Sequence, residues 1–288
     1  MPIGIAALVT KTPIQIRVGY EMVYNCVQET PMILAVNVHY SRAGDMVIPD
    51  QLKTDPVVPI TAHRDPFGNW CTRILAPAGR IKLSATGLLN DSGLPDPVIT
   101  SARQHPVSEL PEDTLTYLLG SRYCETDLLS QAAWSLFAHT APGWERVQAI
   151  CDWVNNHIAF NYGMARPTRT AWDAFNERSG VCRDYAHLAV TFCRAMNIPA
   201  RYCTGYLGDM GMPPPYAMMD FAAWMEVYLD GAWRTFDPRN NAPRIGRVLM
   251  ARGRDATDVA IATSFGPTIL ESFSVVTDEV VDGLAAAS

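Results

Sequence analysis

The chain lacks the features that mark several large classes of protein. No apolar run in its 288 residues approaches the ~20 residues that a membrane span needs. Lys and Arg number 23 against 29 Asp and Glu, and the net charge of -6 argues against a nucleic-acid binder, which normally presents a basic face. We therefore expect neither a membrane nor a nucleic acid as a partner.

Cysteine is present seven times but shows no framework spacing. The number is odd, no Cys-x-x-Cys pair occurs, and a chain of this length has no need of disulfide staples. The first residues, MPIGIAALVTKTPIQIRV, lack the basic segment and the small-residue cleavage site of a secretory signal peptide. We expect reduced thiols and a cytoplasmic location.

The spacing of apolar residues changes once along the chain. Segments such as IQIRVGYEMVYNC and AGRIKLSATGLL carry β-branched and aromatic residues in short runs between turn residues, which is typical of a β-sandwich. After a stretch rich in Pro, Ser and Asp, apolar residues recur at helical spacing near 126–139 and 144–158. The sequence predicts an α+β protein with an antiparallel β-sandwich over 1–100, a linker over 101–125 and a second domain over 126–288.

A cysteine at the start of a predicted helix is the first candidate for chemistry. After Gly180, the segment VCRDYAHLAVTFCRAMNIP has apolar residues almost all round, which predicts a central, buried helix that ends near Asn197. Cys182 lies in its first turn, where the helix dipole stabilises a thiolate. On these residues alone, a nucleophile and a buried structural cysteine are about equally supported. His187 faces away from Cys182 and is interpreted as an interior histidine, neither its base nor a zinc ligand.

A hairpin is predicted to carry the partners of Cys182. Asp230-Gly231 is a strong two-residue turn signal, and the register that it sets pairs Trp224 with Asp237. Ala222 then lies one diagonal step, roughly 7 Å, from Asp237. One imidazole would bridge that distance, but position 222 holds alanine and no histidine follows it in the chain.

Together these segments resemble the bacterial transglutaminase-like superfamily. The likeness rests on GVCRDYAHLAVTFCRAMNIPARYCTGYLGD and AAWMEVYLDGAWRTFDPRNN, covers about residues 115–265, and extends more loosely to the β-rich first part. The family has a papain-like core with a Cys-His-Asp triad, whose histidine begins a strand in a motif of the type His-Ala-Trp-x-Glu-Val. The resemblance implies that Cys182 is the nucleophile, that Asp237 is the acid, and that Ala222 stands where histidine is expected.

Three further positions match the family less specifically. Tyr162 and Trp172 precede the nucleophile and would line the cleft or add a donor to an oxyanion site, although aromatic packing is at least as well supported for Trp172. Asp184 resembles the acidic residue often found two positions after the cysteine, and either takes part in the site or caps the helix. The arginine-rich segment RIGRVLMARGRDATDVAIATSFGP is interpreted as a solvated loop.

The resemblance implies acyl transfer on a peptide or small amide through a Cys182 thioester, with no metal and no organic cofactor. Water is the preferred acceptor, which makes an amidase or peptidase, while amine transfer uses the same residues. Ala222 predicts an inactive chain, and a deliberate His-to-Ala change explains the otherwise complete motif better than natural drift. A non-catalytic peptide-binding pseudoenzyme is the rival hypothesis, and no residue pattern indicates an oligomeric state.

Overall fold

The computed structural model describes residues 13–216 and 219–280. The strands are β1 Ile14–Cys26, β2 Thr30–Leu34, β3 Met46–Ile48, β4 Lys53–Asp55, β5 Ile60–Arg64, β6 Trp70–Ala76, β7 Gly79–Asp91, β8 Ala159–Phe160, β9 Ser179–Gly180, β10 Ala200–Tyr206, β11 Ala222–Leu229, β12 Ala232–Phe236, β13 Val248–Gly253, β14 Ala262–Ser264 and β15 Thr268–Val280. The α-helices are α1 Glu112–Leu115, α2 Thr126–Phe137, α3 Trp144–His157, α4 Ala171–Glu177 and α5 Cys182–Ala195. Short 3-10 helices are Tyr40–Asp45, Val107–Glu109, Thr116–Leu118 and Tyr162–Met164. Within these ranges, no helix is both long enough and apolar enough to cross a membrane.

The N-terminal part is an antiparallel β-sandwich, as predicted. One sheet has the strand order β15-β1-β7-β3, with β4 also paired to β7, and the other has the order β14-β2-β6-β5. Because successive side chains of a strand point to opposite faces, alternate residues of β1 face the other sheet. Ile16 and Val18 of β1 are fully buried in one cluster with Met32 and Ile74 of the facing strands.

The last two strands correct the predicted domain division. β15 pairs antiparallel with β1, from Gln15 opposite Val280 to Cys26 opposite Thr268, and β14 pairs with β2. The range 126–288 is therefore not a separate unit, since its final strands complete both sheets of the sandwich. The physical reason is that β1 would otherwise leave one long edge of unpaired backbone groups, which β15 covers.

The second part places α2 to α5 beside a sheet of order β12-β11-β10-β13. α5 is buried from Asp184 to Arg194, which confirms the predicted central helix. Its Phe192 ring lies 5.4 Å from Phe137 of α2 and 5.4 Å from Trp153 of α3, so neighbouring helices pack directly on it. The start of α5 is held against this core.

The predicted hairpin register between β11 and β12 is confirmed. Leu229 lies opposite Ala232, and Met225 lies opposite Phe236. Asp230 and Gly231 have φ values of 50° and 75°, and positive φ at both central residues is the mark of a type I′ turn. The turn therefore fixes where Ala222 and the residues after Phe236 lie.

The β-sandwich core continues into the second part of the chain. Tyr206, Phe221 and Met250 belong to the same buried cluster as the residues of β1 and β7. Phe221 immediately precedes Ala222, and its ring lies 5.2 Å from Tyr206 and 5.5 Å from Phe273 of β15. The entry to β11 is thus supported by the sandwich.

Gly205 of β10 lies where β10, β11 and β13 approach one another closely. Gly205 lies opposite Ala222, and a Cβ there would overlap the carbonyl oxygen of Val248 and lie 2.9 Å from the Trp224 ring. We expect Gly205→Ala to lower the free energy of unfolding by ~1–3 kcal/mol, because the backbone must move to admit the methyl group. Urea unfolding followed by circular dichroism measures this change.

Gly44→Ala is the matched control, since nothing lies within 4 Å of the position of its Cβ. A surface substitution of this kind should change the free energy of unfolding by no more than ~0.5 kcal/mol. Equal losses for the two variants would contradict the close approach of β10, β11 and β13.

Candidate active site

The start of α5 is built by a capping interaction. Val181, directly before the helix, donates its N–H to Asp184 Oδ2 at 2.8 Å. The Asp184 side chain is fully buried, and a Cβ at position 180 would press on it, which explains the need for Gly180. Of the two interpretations of Asp184, the structure supports the cap, and this cap sets the position of Cys182.

Cys182 lies in a small pocket of about 100 Å³ together with the alanine that replaces the expected histidine. Ala222 enters from the start of β11, and Tyr162 lines the same pocket with 55% of its surface exposed. Asp220 and Arg239 add charged groups to the lining. The fold thus brings Cys182, Ala222 and Tyr162 together from three separate segments.

The environment of the Cys182 thiol favours its protonated form. Burial raises the pKa of Cys182 to about 11, and the negative charges of Asp220 and Asp237 act in the same direction. The backbone N–H groups of Ala223 and Arg183 favour the thiolate and oppose this rise in pKa, but they do not outweigh it. The helix N-terminus alone therefore does not maintain a thiolate at neutral pH.

Asp237 lies behind the pocket and does not line it. Its side chain is 2% exposed. Oδ1 accepts a hydrogen bond from the Asn240 N–H at 2.9 Å, and Oδ2 accepts from Asn240 Nδ2 at 2.7 Å and from Arg247 Nη2 at 3.0 Å. Both carboxylate oxygens are therefore engaged without a histidine.

Arg247 is the residue that the sequence analysis missed. Its side chain, 7% exposed, also lies 3.0 Å from Asp96 Oδ2 in the segment after β7, and its guanidinium lies 4.7 Å from the Trp224 ring centroid. The prediction of a solvated loop for this region is wrong, because Arg247 is buried and β13 follows it directly. No local signal identifies its partners, since Asp96 is distant in the sequence.

Trp172 is not brought to this pocket. It lies on α4, 40% exposed, with its ring 6.2 Å from Phe175, and its backbone N–H donates to Glu125 at 3.1 Å. Of the two interpretations of Trp172, the structure supports packing on a neighbouring aromatic residue. His187 is fully buried and accepts a hydrogen bond from the Ala256 N–H at 3.1 Å, which confirms its interior placement.

Known proteins share parts of this sequence and its fold. Residues 133–238 match the family model described as the transglutaminase-like superfamily. The crystal structure of a candidate cysteine protease from Cytophaga hutchinsonii superposes with a TM-score of 0.80 at 28% sequence identity, over 96% of this chain and 93% of that chain. The likeness therefore includes the β-sandwich as well as the core.

Curated relatives share a shorter part of the chain. An uncharacterized protein of Mycobacterium leprae is 31% identical over 121 residues, which are 40% of this chain and 42% of that protein. An uncharacterized protein of Mycobacterium tuberculosis is 27% identical over 143 residues, 46% of each. The chain thus spans less than half of the length of the curated relatives that it matches.

The contacts of Arg247 predict a large loss of stability when it is removed. Arg247→Ala leaves the buried carboxylate of Asp237 without its cation, and we expect the free energy of unfolding to fall by ~3–5 kcal/mol. Arg80→Ala is the matched control, because Arg80 is 71% exposed in its pair with Glu271 and exposed pairs contribute only ~0–1 kcal/mol. Comparable losses in urea unfolding would contradict the role of Arg247.

The raised pKa of Cys182 predicts its reactivity. Iodoacetamide should alkylate Cys182 slowly at pH 7 and faster as the pH rises toward about 11, because only the thiolate reacts. Asp220→Asn removes a negative charge, lowers the pKa of the thiol, and should speed alkylation at pH 8 roughly threefold or more. Peptide mass spectrometry gives the rate at Cys182 itself.

Asp209→Asn provides the control for this measurement. Asp209 lines the same pocket but is paired with Arg244 Nη2 at 3.1 Å, and we expect a much smaller change in the alkylation rate. Rapid alkylation of the unaltered chain at pH 6 would show that another group deprotonates Cys182.

Proposed function

We propose that this chain, a member of the transglutaminase-like superfamily, is built for acyl transfer at Cys182 on a peptide or small amide. The family core supports thiol-dependent acyl transfer in general. The observation that carries the proposal is the pocket in which Cys182, the first residue of α5, lies together with Ala222 at the start of β11.

The proposed reaction has two steps. The Cys182 sulfur attacks the amide carbonyl carbon, the C–N bond breaks, and the amine leaves with the proton that the thiol has given up. Water then attacks the thioester, which releases the acid and returns the proton to the thiol. The first-turn N–H groups of α5 are suited to stabilise the oxyanion of each tetrahedral intermediate.

Hydrolysis is the preferred outcome because water reaches the pocket past the exposed Tyr162 without a dedicated second site. Amine transfer would use the same thioester and needs only a competing nucleophile in place of water. We also propose a reducing, cytoplasmic compartment, which is supported by seven free cysteines, six of them buried. In such a compartment Cys182 stays available as a thiol.

Ala222 limits this chain to a slow reaction. Without an imidazole, the thiol proton has to pass to water or to Asp220, and a carboxylate is a poor base for a thiol of pKa about 11. We therefore propose that this chain has little activity.

One observation favours the second candidate, a peptide-binding protein that does not catalyse. Both oxygens of Asp237 are already bonded to Asn240 and Arg247, so the acid is satisfied in the absence of histidine.

Restoring the imidazole separates the two candidates. We expect Ala222→His to raise the hydrolysis of a panel of peptide anilides by ~10³-fold or more, because a base beside the thiol restores the missing member of the triad. Ala222→Asn is the matched control, since its amide has a similar size and accepts no proton. Release of the coloured amine gives the rate.

Adding Cys182→Ala to the Ala222→His protein should remove the gain. If the Ala222→His protein retains its circular dichroism spectrum but cleaves no member of the panel faster than Ala222→Asn, the pocket is not a disabled triad. The binding function is then the better account.

A further inference from the structure

Cys182 lies at the junction of two clefts. One side of the residue faces the small polar pocket of about 100 Å³, and the other side faces a larger cleft of about 360 Å³. The two clefts share residues 220–223, so the start of β11 separates them. A molecule bound at the thiol therefore has two directions in which to extend.

One wall of the larger cleft comes from the β-sandwich. Met22 and Tyr24 of β1 line it together with Leu270 and Phe273 of β15, opposite Cys182. Leu270 is 48% exposed and Phe273 is 39% exposed, so an apolar surface stays open to solvent directly beside the candidate nucleophile. We call this space the sandwich cleft.

We propose that the sandwich cleft binds a large apolar side chain of the acyl donor, and that the β-sandwich thereby sets the substrate preference of the core. This inference rests on the proposed function, since it takes Cys182 as the nucleophile. The cleft is continuous with Cys182, so a donor whose carbonyl carbon lies at the sulfur places its side chain in the cleft.

The volume of the cleft restricts its occupant. Sites for small molecules usually have ~300–1,000 Å³, so the sandwich cleft at about 360 Å³ accepts an aromatic or branched aliphatic side chain, while the polar pocket at about 100 Å³ does not. Asp220 and Arg183 bring one charge of each sign to the lining of the sandwich cleft, so charge does not select the occupant. The preferred donor is therefore a peptide amide with an aromatic or branched aliphatic residue at the acyl position.

Affinity labelling tests this preference without requiring turnover. The probes are the chloromethyl ketones of N-acetylphenylalanine and N-acetylglycine, with iodoacetamide as a reagent that has no side chain. At pH 9 we expect the phenylalanine probe to label Cys182 about tenfold faster than the glycine probe, with saturation, because burial of the ring adds binding energy. Peptide mass spectrometry reports the rate at Cys182.

Two variants locate the preference in the sandwich cleft. Phe273→Ser and Leu270→Ser should each reduce the ratio of the phenylalanine rate to the glycine rate to about twofold or less, because a polar group replaces apolar contact area. Phe265→Ser is the matched control, since Phe265 is 60% exposed and does not line the cleft, and its ratio should stay unchanged.

The remaining outcomes of the labelling experiment show which of the two proposals fails. Equal rates for the two chloromethyl ketones, or a preference that survives in both cleft variants, overturns the inference and leaves Cys182 as a candidate nucleophile. If labelling by the phenylalanine probe becomes slower as the protein concentration rises, a second copy of the chain covers the cleft. This result also overturns the inference. No labelling by any reagent, iodoacetamide included, overturns the proposed function itself.

Discussion

A carboxylate that is removed from water needs a partner of opposite charge, and the structure around the candidate site depends on how Asp237 meets that need. Arg247 supplies the charge and also binds Asp96, so it joins the end of β12 to the segment that follows β7. Its guanidinium lies over Trp224 in the middle of β11. One buried cation thus ties together the hairpin, the connecting segment and β13, which sets where Ala222 stands beside Cys182.

The β-sandwich also supports the candidate site. β15 returns from the far end of the chain to pair with β1, and Phe221 packs into the sandwich core one residue before Ala222. The position that would hold a catalytic histidine is therefore supported from one side by Arg247 and from the other by the sandwich. This arrangement explains why a wall of the cleft at Cys182 comes from residues outside the transglutaminase-like match at 133–238.

Features set by short-range chemistry could be predicted from the sequence. The bounds of β1, the burial of α5 and the register across Asp230 and Gly231 follow from side-chain periodicity and turn geometry, and all three are present. Features set by distant contacts could not. Neither the pairing of β15 with β1 nor the binding of two acids by Arg247 leaves a local sequence pattern. The position of Trp172 outside the pocket depends on how α4 packs.

The central claim is that Cys182 is a nucleophile whose base is absent, and the pKa of its thiol in the Ala222→His protein tests this most directly. The pH dependence of alkylation at Cys182 gives that pKa in both proteins. The account predicts that it falls from about 11 in the unaltered chain to below ~8 with histidine at position 222, because an imidazolium would stabilise the thiolate. If the Ala222→His protein folds and the pKa of its Cys182 thiol is still about 11, the account is contradicted.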